Sequence, residues 1–145
     1  MSGFIRTLGL FVLLLMSPPA AAQGNPAASP VDAAAIRSVI ERQLAAFQAD
    51  DGDLAFTFAS PKIRAMFGTS DNFMNMVRTG YQPVYRPRNA AFLDISIVRG
   101  QPTQRVLLTG PDGVEVIAHY FMERQADGTW LIDGCVLSEP EGAAV

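Results

Sequence analysis

Two residue types that occur only once in the chain could together form a nucleophilic site. The 145 residues include one Cys and one His, and both lie in segments with strand periodicity. We take residues 111–113 and 126–128 as three-residue hairpin loops. On that register Arg105 lies opposite His119, and His119 lies opposite Cys135. A thiol beside an imidazole is a nucleophile with its base, and a nearby guanidinium would lower the thiol pKa.

The predicted sheet faces argue against this chemistry. The row of Arg105, His119 and Cys135 projects from a mixed outer face, whereas a pocket between helices and sheet is lined by inward residues. We therefore interpret His119 and Cys135 as part of a half-exposed sheet surface. No residue is predicted to be catalytic, and these two are kept only as candidates.

Asp133 is the third catalytic candidate, because a carboxylate in an apolar cavity can act as a general acid or base. The predicted inward face contains no carboxylate. Asp133 would have to turn inward through a bulge or a register shift, which its neighbour Gly134 permits. The alternative function is therefore a small-molecule isomerase or hydrolase that uses Asp133 or His119.

Aromatic and basic side chains indicate a ligand pocket without catalysis. Two aromatic residues occupy inward strand positions, and a proline-containing strap over residues 81–89 could close the mouth of a cavity. Apolar walls with a few polar tips suit a small amphipathic or anionic ligand. The predicted ligand-binding residues are Tyr81, Tyr85, Arg86, Arg88, Tyr120 and Trp130. The competing interpretation is that the aromatics are core and that the arginines tether helix C-termini.

The composition argues against several other classes of protein. A formal net charge of −3 does not provide the basic surface that nucleic-acid binding needs. One Cys and one His cannot form a Cys₂His₂ zinc site, and one Cys cannot form a disulfide within the chain. The sequence therefore predicts no metal, no cofactor and no nucleic-acid partner.

Residues 1–22 predict a secretory signal peptide. Arg6 precedes an apolar run over residues 8–16, and alanines at residues 20–22 supply a cleavage site. The run is too short to span a bilayer, which needs about 20 apolar residues in a helix. We expect cleavage after Ala22, no membrane anchor in the mature protein, and a periplasmic or secreted location.

The rest of the chain predicts helices followed by strands. Residues 23–31 lack apolar periodicity and predict a flexible leader, the domain is expected over residues 32–138, and residues 139–145 form a tail. The helix signals are an apolar stripe capped by Asp32, a Ser60-Pro61 start, and a Ser70 cap. The predicted helices span residues 32–49, 61–67 and 70–80, and the predicted strands span residues 91–99, 103–109, 114–124 and 129–137. This order predicts an α+β domain in which N-terminal helices pack on a curved, four-stranded antiparallel meander.

The predicted register also separates two sheet faces. A turn at Gly100-Gln101 would pair Ser96 with Arg105. Leu93 and Val136 are then placed on the inward face, and Phe92, Cys135 and Leu137 on the outer face. The outer face is apolar enough to predict a homodimer through it, with coverage by the C-terminal tail as the alternative.

Four stretches of the chain resemble a bacterial exported family, DUF4864, whose activity is unknown. They are IRSVIERQLAAFQADD, ASPKIRAMFGTSDNFMNMV, GYQPVYRPRN and MERQADGTWLIDGC. The resemblance spans roughly residues 35–136 and implies an NTF2-like, or cystatin-like, cone with helices packed on a curved sheet. A fold does not select a function. We therefore predict an exported module that binds a ligand or forms a dimer without catalysis.

Overall fold

The computed structural model describes residues 29–142. The predicted signal peptide and most of the predicted leader lie outside these residues. Within them, five helices precede four strands. The elements are α1 (Pro30–Gln48), α2 (Gly52–Thr57), α3 (Pro61–Phe67), α4 (Ser70–Gly80), α5 (Gln82–Tyr85), β1 (Asn89–Val98), β2 (Gln101–Thr109), β3 (Glu115–Arg124) and β4 (Trp130–Ser138). The strands form one open antiparallel sheet in the order β1-β2-β3-β4, which confirms the α+β class and the meander.

The helix caps differ from the prediction at two of three positions. The Ser29 hydroxyl accepts the backbone N–H of Asp32 at 3.1 Å, so α1 begins at Pro30 and Asp32 lies in its first turn. Thr69, rather than Ser70, caps α4. Ser60 caps α3 as predicted. Both errors are shifts of a few residues, because each start contains more than one side chain that can cap a helix.

Two short helices lie where the sequence predicted none. The apolar stretch after residue 51 forms α2, which Asp51 caps. The strap contains α5 over residues 82–85, where no helix was predicted. Pro83 stands in the first turn of α5, where a proline removes no intrahelical hydrogen bond.

The hairpin between β1 and β2 turns one position earlier than predicted. Arg99 and Gly100 both have positive φ angles, 51° and 80°, and form the two-residue turn that suits twisted strands. Ser96 therefore pairs with Thr103, not with Arg105. Between Phe92 and Ile95, two residues of β1 oppose one residue of β2. Because of this bulge, the residues at the start of β1 point to the opposite face of the sheet from the predicted one.

Because of the bulge in β1, two side chains lie on the face of the sheet opposite to the predicted one. Phe92 pairs with Val106 and packs against the core, whereas the outer face was predicted for it. Leu93, predicted to point inward, is 40% exposed.

A second bulge, in β4, changes the position of the thiol. Phe121 pairs with Gly134 and Met122 pairs with Ile132, so Asp133 is the unpaired extra residue. Beyond it, Tyr120 pairs with Cys135, while His119 pairs with Val136. The prediction that His119 lies opposite Cys135 was wrong, because an inserted residue reverses the facing of everything after it.

The same bulge changes the facing of the last residues of β4. Cys135 and Leu137 pack against the core, and Val136 is 52% exposed. All three had been assigned to the opposite face. The predicted pairs of β2 with β3, including Arg105 with His119, are confirmed.

The core lies between the apolar stripe of α1 and the inward sheet face. Ile36, Ile40 and Phe47 are at most 1% exposed, and they pack in one cluster with Val106 and Leu108 of β2. The segment before α3 adds to the edge of the sheet. Its Ser60 N–H donates to the Ile132 carbonyl oxygen at 2.8 Å. This pairing fixes the start of α3 next to β4.

Candidate functional site

A cavity of about 340 Å³ lies between the helices and the middle parts of β3 and β4. Helices α1, α3, α4 and α5 contribute most of its apolar wall, and the sheet contributes its floor. Wall residues include Phe47, Ile63, Phe73, Val77, Val84 and Ile132. This volume is within the range of pockets that hold small organic molecules.

None of the described residues that line the cavity is charged. The lining residues that carry a polar side-chain group are Gln43, Tyr81, Tyr120 and Cys135. The Gln43 amide nitrogen donates to the Ala55 carbonyl oxygen at 3.2 Å. The cavity therefore presents a neutral, mostly apolar surface with few free polar groups.

The two tyrosines of the cavity differ in their hydrogen bonding. The Tyr81 hydroxyl donates to the Cys135 carbonyl oxygen at 3.1 Å. The Tyr120 hydroxyl is buried and has no hydrogen-bond partner among the described residues. Burial raises the pKa of both phenols, and the proximity of Cys135 raises it further. Both hydroxyls therefore stay protonated and neutral at physiological pH.

The thiol and the imidazole lie on opposite faces of the sheet. Cys135 lines the cavity, whereas a ring nitrogen of His119 is 2.8 Å from the Ser138 hydroxyl on the outer face. Burial raises the pKa of the Cys135 thiol to about 12. A thiol in this state is a poor nucleophile, because the thiolate is the reactive form. The structure therefore does not bring together the nucleophile and base of the predicted row.

Asp133 is buried at the β4 bulge, outside the cavity. Its carboxylate accepts hydrogen bonds from the Ser60 hydroxyl at 2.7 Å, the Gln101 amide at 2.8 Å and the Lys62 ammonium at 3.1 Å. Burial opposes ionisation, but these three donors outweigh it and hold the pKa of Asp133 below its ordinary value of 3.8. Such a group is ionised and fully engaged, unlike the neutral acid or free base that catalysis needs.

The strap binds the C-terminal end of α1. Arg86 donates to the carbonyl oxygen of Phe47 and, at 2.9 Å, to the carboxylate of Asp50. The Tyr85 hydroxyl also donates to Asp50, and this bond, followed by the charges of Arg86 and Arg78, lowers the pKa of that carboxyl. The Arg86 guanidinium lies over the Tyr85 ring, 4.1 Å from its centroid. Tyr85 and Arg86 therefore form a tether and do not line the cavity.

Removal of the tether should destabilise the fold moderately. We expect Arg86→Ala to lower the free energy of unfolding by about 1–2 kcal/mol, because it removes charge-assisted hydrogen bonds to α1. Arg88→Ala is the matched control, since Arg88 is an exposed arginine of the same strap. The control should change stability by less than about 0.5 kcal/mol. Urea denaturation of both variants measures the difference, and equal losses would contradict the tether.

Of the six predicted ligand-binding residues, Tyr81 and Tyr120 line the cavity. Trp130 is buried elsewhere, and its indole N–H is 3.4 Å from the Asp32 carboxylate. Arg88 is exposed. The sequence did not identify the walls supplied by α3 and α4, because an apolar helix stripe looks the same whether it packs against side chains or against a cavity.

The outer sheet face is partly covered. Glu141 in the C-terminal tail lies 3.0 Å from Arg105, and Ile117 is only 5% exposed. Val98 and Val136 are 36% and 52% exposed. The predicted homodimer through this face stays a prediction.

Comparison with known proteins places the chain in a family. No curated protein and no solved structure matches it. Among residues 29–142, no helix has the length and apolar character to cross a membrane. Residues 29–145 match the family described as Domain of unknown function (DUF4864), and the chain therefore belongs to that family.

Proposed function

We propose that this protein is a non-catalytic module that binds a small, largely apolar molecule in the cavity between its helices and its sheet. The observation that carries the proposal is the cavity itself, which has about 340 Å³ of space and which no charged residue of the described part of the chain lines. A carboxylate or imidazole in the cavity would have favoured an enzyme. Asp133 and His119 both lie outside it, so no observation favours the isomerase or hydrolase alternative.

The neutral lining favours an uncharged ligand over the anionic ligand that the strap arginines predicted. A carboxylate or phosphate buried among apolar walls is unfavourable unless a cation accompanies it. Arg86 is bound to α1 and Asp50, and Arg88 does not line the cavity. We therefore assign the apolar part of an amphipathic molecule to this space.

Two further parts of the proposal rest on the sequence. Helices on one face of a meander, with a cavity between, support the NTF2-like architecture that the chain resembles, although this sheet is open. The proposed setting is the periplasm or the exterior of the cell, and its support is the signal-peptide pattern of residues 1–22. That segment lies outside the described residues.

The cavity can be tested by filling it. We expect the protein to bind 2-ethylnaphthalene in isothermal titration calorimetry, and Met76→Trp to weaken this binding at least about tenfold, because the larger ring occupies the space. Met76 is a half-buried residue of the wall, so the larger side chain can be placed without rebuilding the core.

The matched control is Leu54→Trp, which adds the same ring at a position that is 43% exposed and outside the cavity lining. It should leave the affinity unchanged. Absence of binding to the unmodified protein, or equal affinities for the two tryptophan variants, would contradict the proposal.

A further inference from the structure

A second cavity, of about 450 Å³, lies on the outer face of the sheet, where the β1–β2 turn meets the start of α3 and the bulge of β4. We call it the outer-face cavity. Its apolar lining consists of Val98, Phe121 and Val136. Val98 and Val136 are 36% and 52% exposed, and Phe121 is half-buried. These side chains therefore present an apolar surface that a ligand can remove from water.

The charged residues of this lining leave an excess of positive charge. Lys62 and Arg99 are its cations, and Asp133 is the one carboxylate among the described residues that line it. Two positive charges and one negative charge give a net charge of +1. The Asp133 side chain is only 6% exposed, whereas that of Lys62 is 63% exposed. A ligand in the outer-face cavity therefore meets the cations before it meets the carboxylate.

Asp133 positions the cation that comes from α3. One of its carboxylate oxygens accepts hydrogen bonds from the Lys62 ammonium at 3.1 Å and from the Gln101 side-chain amide at 2.8 Å. The other oxygen accepts the Ser60 hydroxyl at 2.7 Å. The bulge of β4 thereby joins the start of α3 to the β1–β2 turn. This junction brings Lys62 and Arg99, which are distant in sequence, to the same cavity.

The β1–β2 turn does not itself explain why residue 99 is an arginine. Arg99 has a positive φ angle of 51°, and two-residue turns of this kind favour Asn, Asp or Gly there, because other side chains are strained. Its side chain is exposed, and no acidic residue among residues 29–142 forms an ion pair with it. Its guanidinium can therefore turn to an anion in the cavity without giving up an ion pair in this part of the chain.

We propose that the outer-face cavity binds a small amphipathic anion, an aryl or alkyl monocarboxylate. Its apolar part covers the valines and Phe121, and its carboxylate is held by Arg99 and Lys62. One negative charge matches the net charge of the lining, and a planar guanidinium can donate two parallel hydrogen bonds to a carboxylate. This inference goes beyond the proposed function, because it concerns another face of the sheet and a charged ligand.

Isothermal titration calorimetry with 2-naphthoate tests the inference. We expect saturable binding of 2-naphthoate, and no measurable binding of acetate, which lacks the apolar part, at the concentration that saturates with 2-naphthoate. Arg99→Asn should weaken the binding about five- to tenfold, because it removes charge-assisted hydrogen bonds at an exposed site. Asparagine suits the turn, so this variant keeps the hairpin. Lys62→Gln should weaken the binding at least as much, since it also leaves the charge of Asp133 unpaired.

Arg88→Asn is the matched control. Arg88 is also exposed but does not line the outer-face cavity, so its removal should leave the affinity for 2-naphthoate within about twofold. Equal affinities for Arg99→Asn and Arg88→Asn would overturn the inference. Absence of 2-naphthoate binding to the unmodified protein, or binding of acetate as tight as that of 2-naphthoate, would overturn it as well.

Met76→Trp separates the two cavities, because Met76 lines only the cavity between the helices and the sheet. This variant should keep the affinity for 2-naphthoate, although the proposed function predicts that it weakens the binding of 2-ethylnaphthalene. Arg99→Asn should have the reverse effect on the two compounds. Loss of 2-naphthoate binding in Met76→Trp but not in Arg99→Asn would place the anion between the helices and the sheet, and would overturn the inference.

Discussion

Asp133→Ala should lower the free energy of unfolding by about 2–3 kcal/mol, because it leaves buried donors without an acceptor. The Ser60 hydroxyl, at 0% exposure, loses its carboxylate acceptor. The half-buried side-chain amide of Gln101 loses the same acceptor. The affected bonds join the start of α3, the bulge of β4 and the β1–β2 turn. Urea denaturation of the variant measures the loss.

Two controls identify the source of this effect. Lys62 is 63% exposed in its side chain, so Lys62→Ala should change stability by less than about 1 kcal/mol. Glu115→Ala removes an exposed strand carboxylate and should change it by less than about 0.5 kcal/mol. A loss in Lys62→Ala as large as that in Asp133→Ala would show that the ion pair, rather than the buried hydrogen bonds, stabilises this junction.

The contribution of Asp133 should also depend on pH. Its folded-state pKa lies below the ordinary value of 3.8, so the folded state favours the ionised carboxylate. The resulting stabilisation is complete above about pH 5 and is lost as the pH falls through 3.8 toward the folded-state pKa. The difference in stability between the unmodified protein and Asp133→Ala should therefore narrow below pH 4.

The fold was predictable to the extent that local patterns determine it. The stripe of α1, the Ser60-Pro61 start of α3 and the glycine-containing loops on both sides of β3 predicted the elements and the β2–β3 register. The two bulges were not predictable in the same way. A bulge adds one residue to one strand, and the sequence near Asp133 and Gly134 permits it without requiring it.

The candidate site depended on one of those bulges. Without the extra residue Asp133, Cys135 would have faced outward beside His119, as the unbulged register implies. With it, Cys135 faces the cavity and the imidazole is left on the other side of the sheet. Tyr120 was correctly placed inward by alternation alone. Its unpaired hydroxyl could not have been foreseen, because whether a buried group is satisfied depends on contacts between distant segments.

Cys135 should react with iodoacetamide about 10³-fold more slowly in the folded protein than in urea, because only a small fraction of the folded protein carries Cys135 as a thiolate. Its pKa is raised by burial from 9.0 to about 12, and below both values this lowers the thiolate fraction about 10³-fold. Cys135 is partly accessible and lines an apolar cavity, and an apolar surrounding disfavours the charged thiolate. The rate in the folded protein should rise about tenfold per pH unit, without a plateau between pH 7 and 10.

An exposed thiol in the same chain provides the comparison. Cys135→Ser combined with Glu139→Cys moves the single thiol to an exposed residue just after β4, where iodoacetamide should react at nearly the same rate in folded and unfolded protein. Mass spectrometry follows the alkylation of both proteins. A plateau near pH 9 for Cys135, or a rate equal to that of the exposed thiol, would mean that the cavity does not suppress the thiolate. The conclusion that the cavity lining is neutral, on which the expectation of an uncharged ligand rests, would then be wrong.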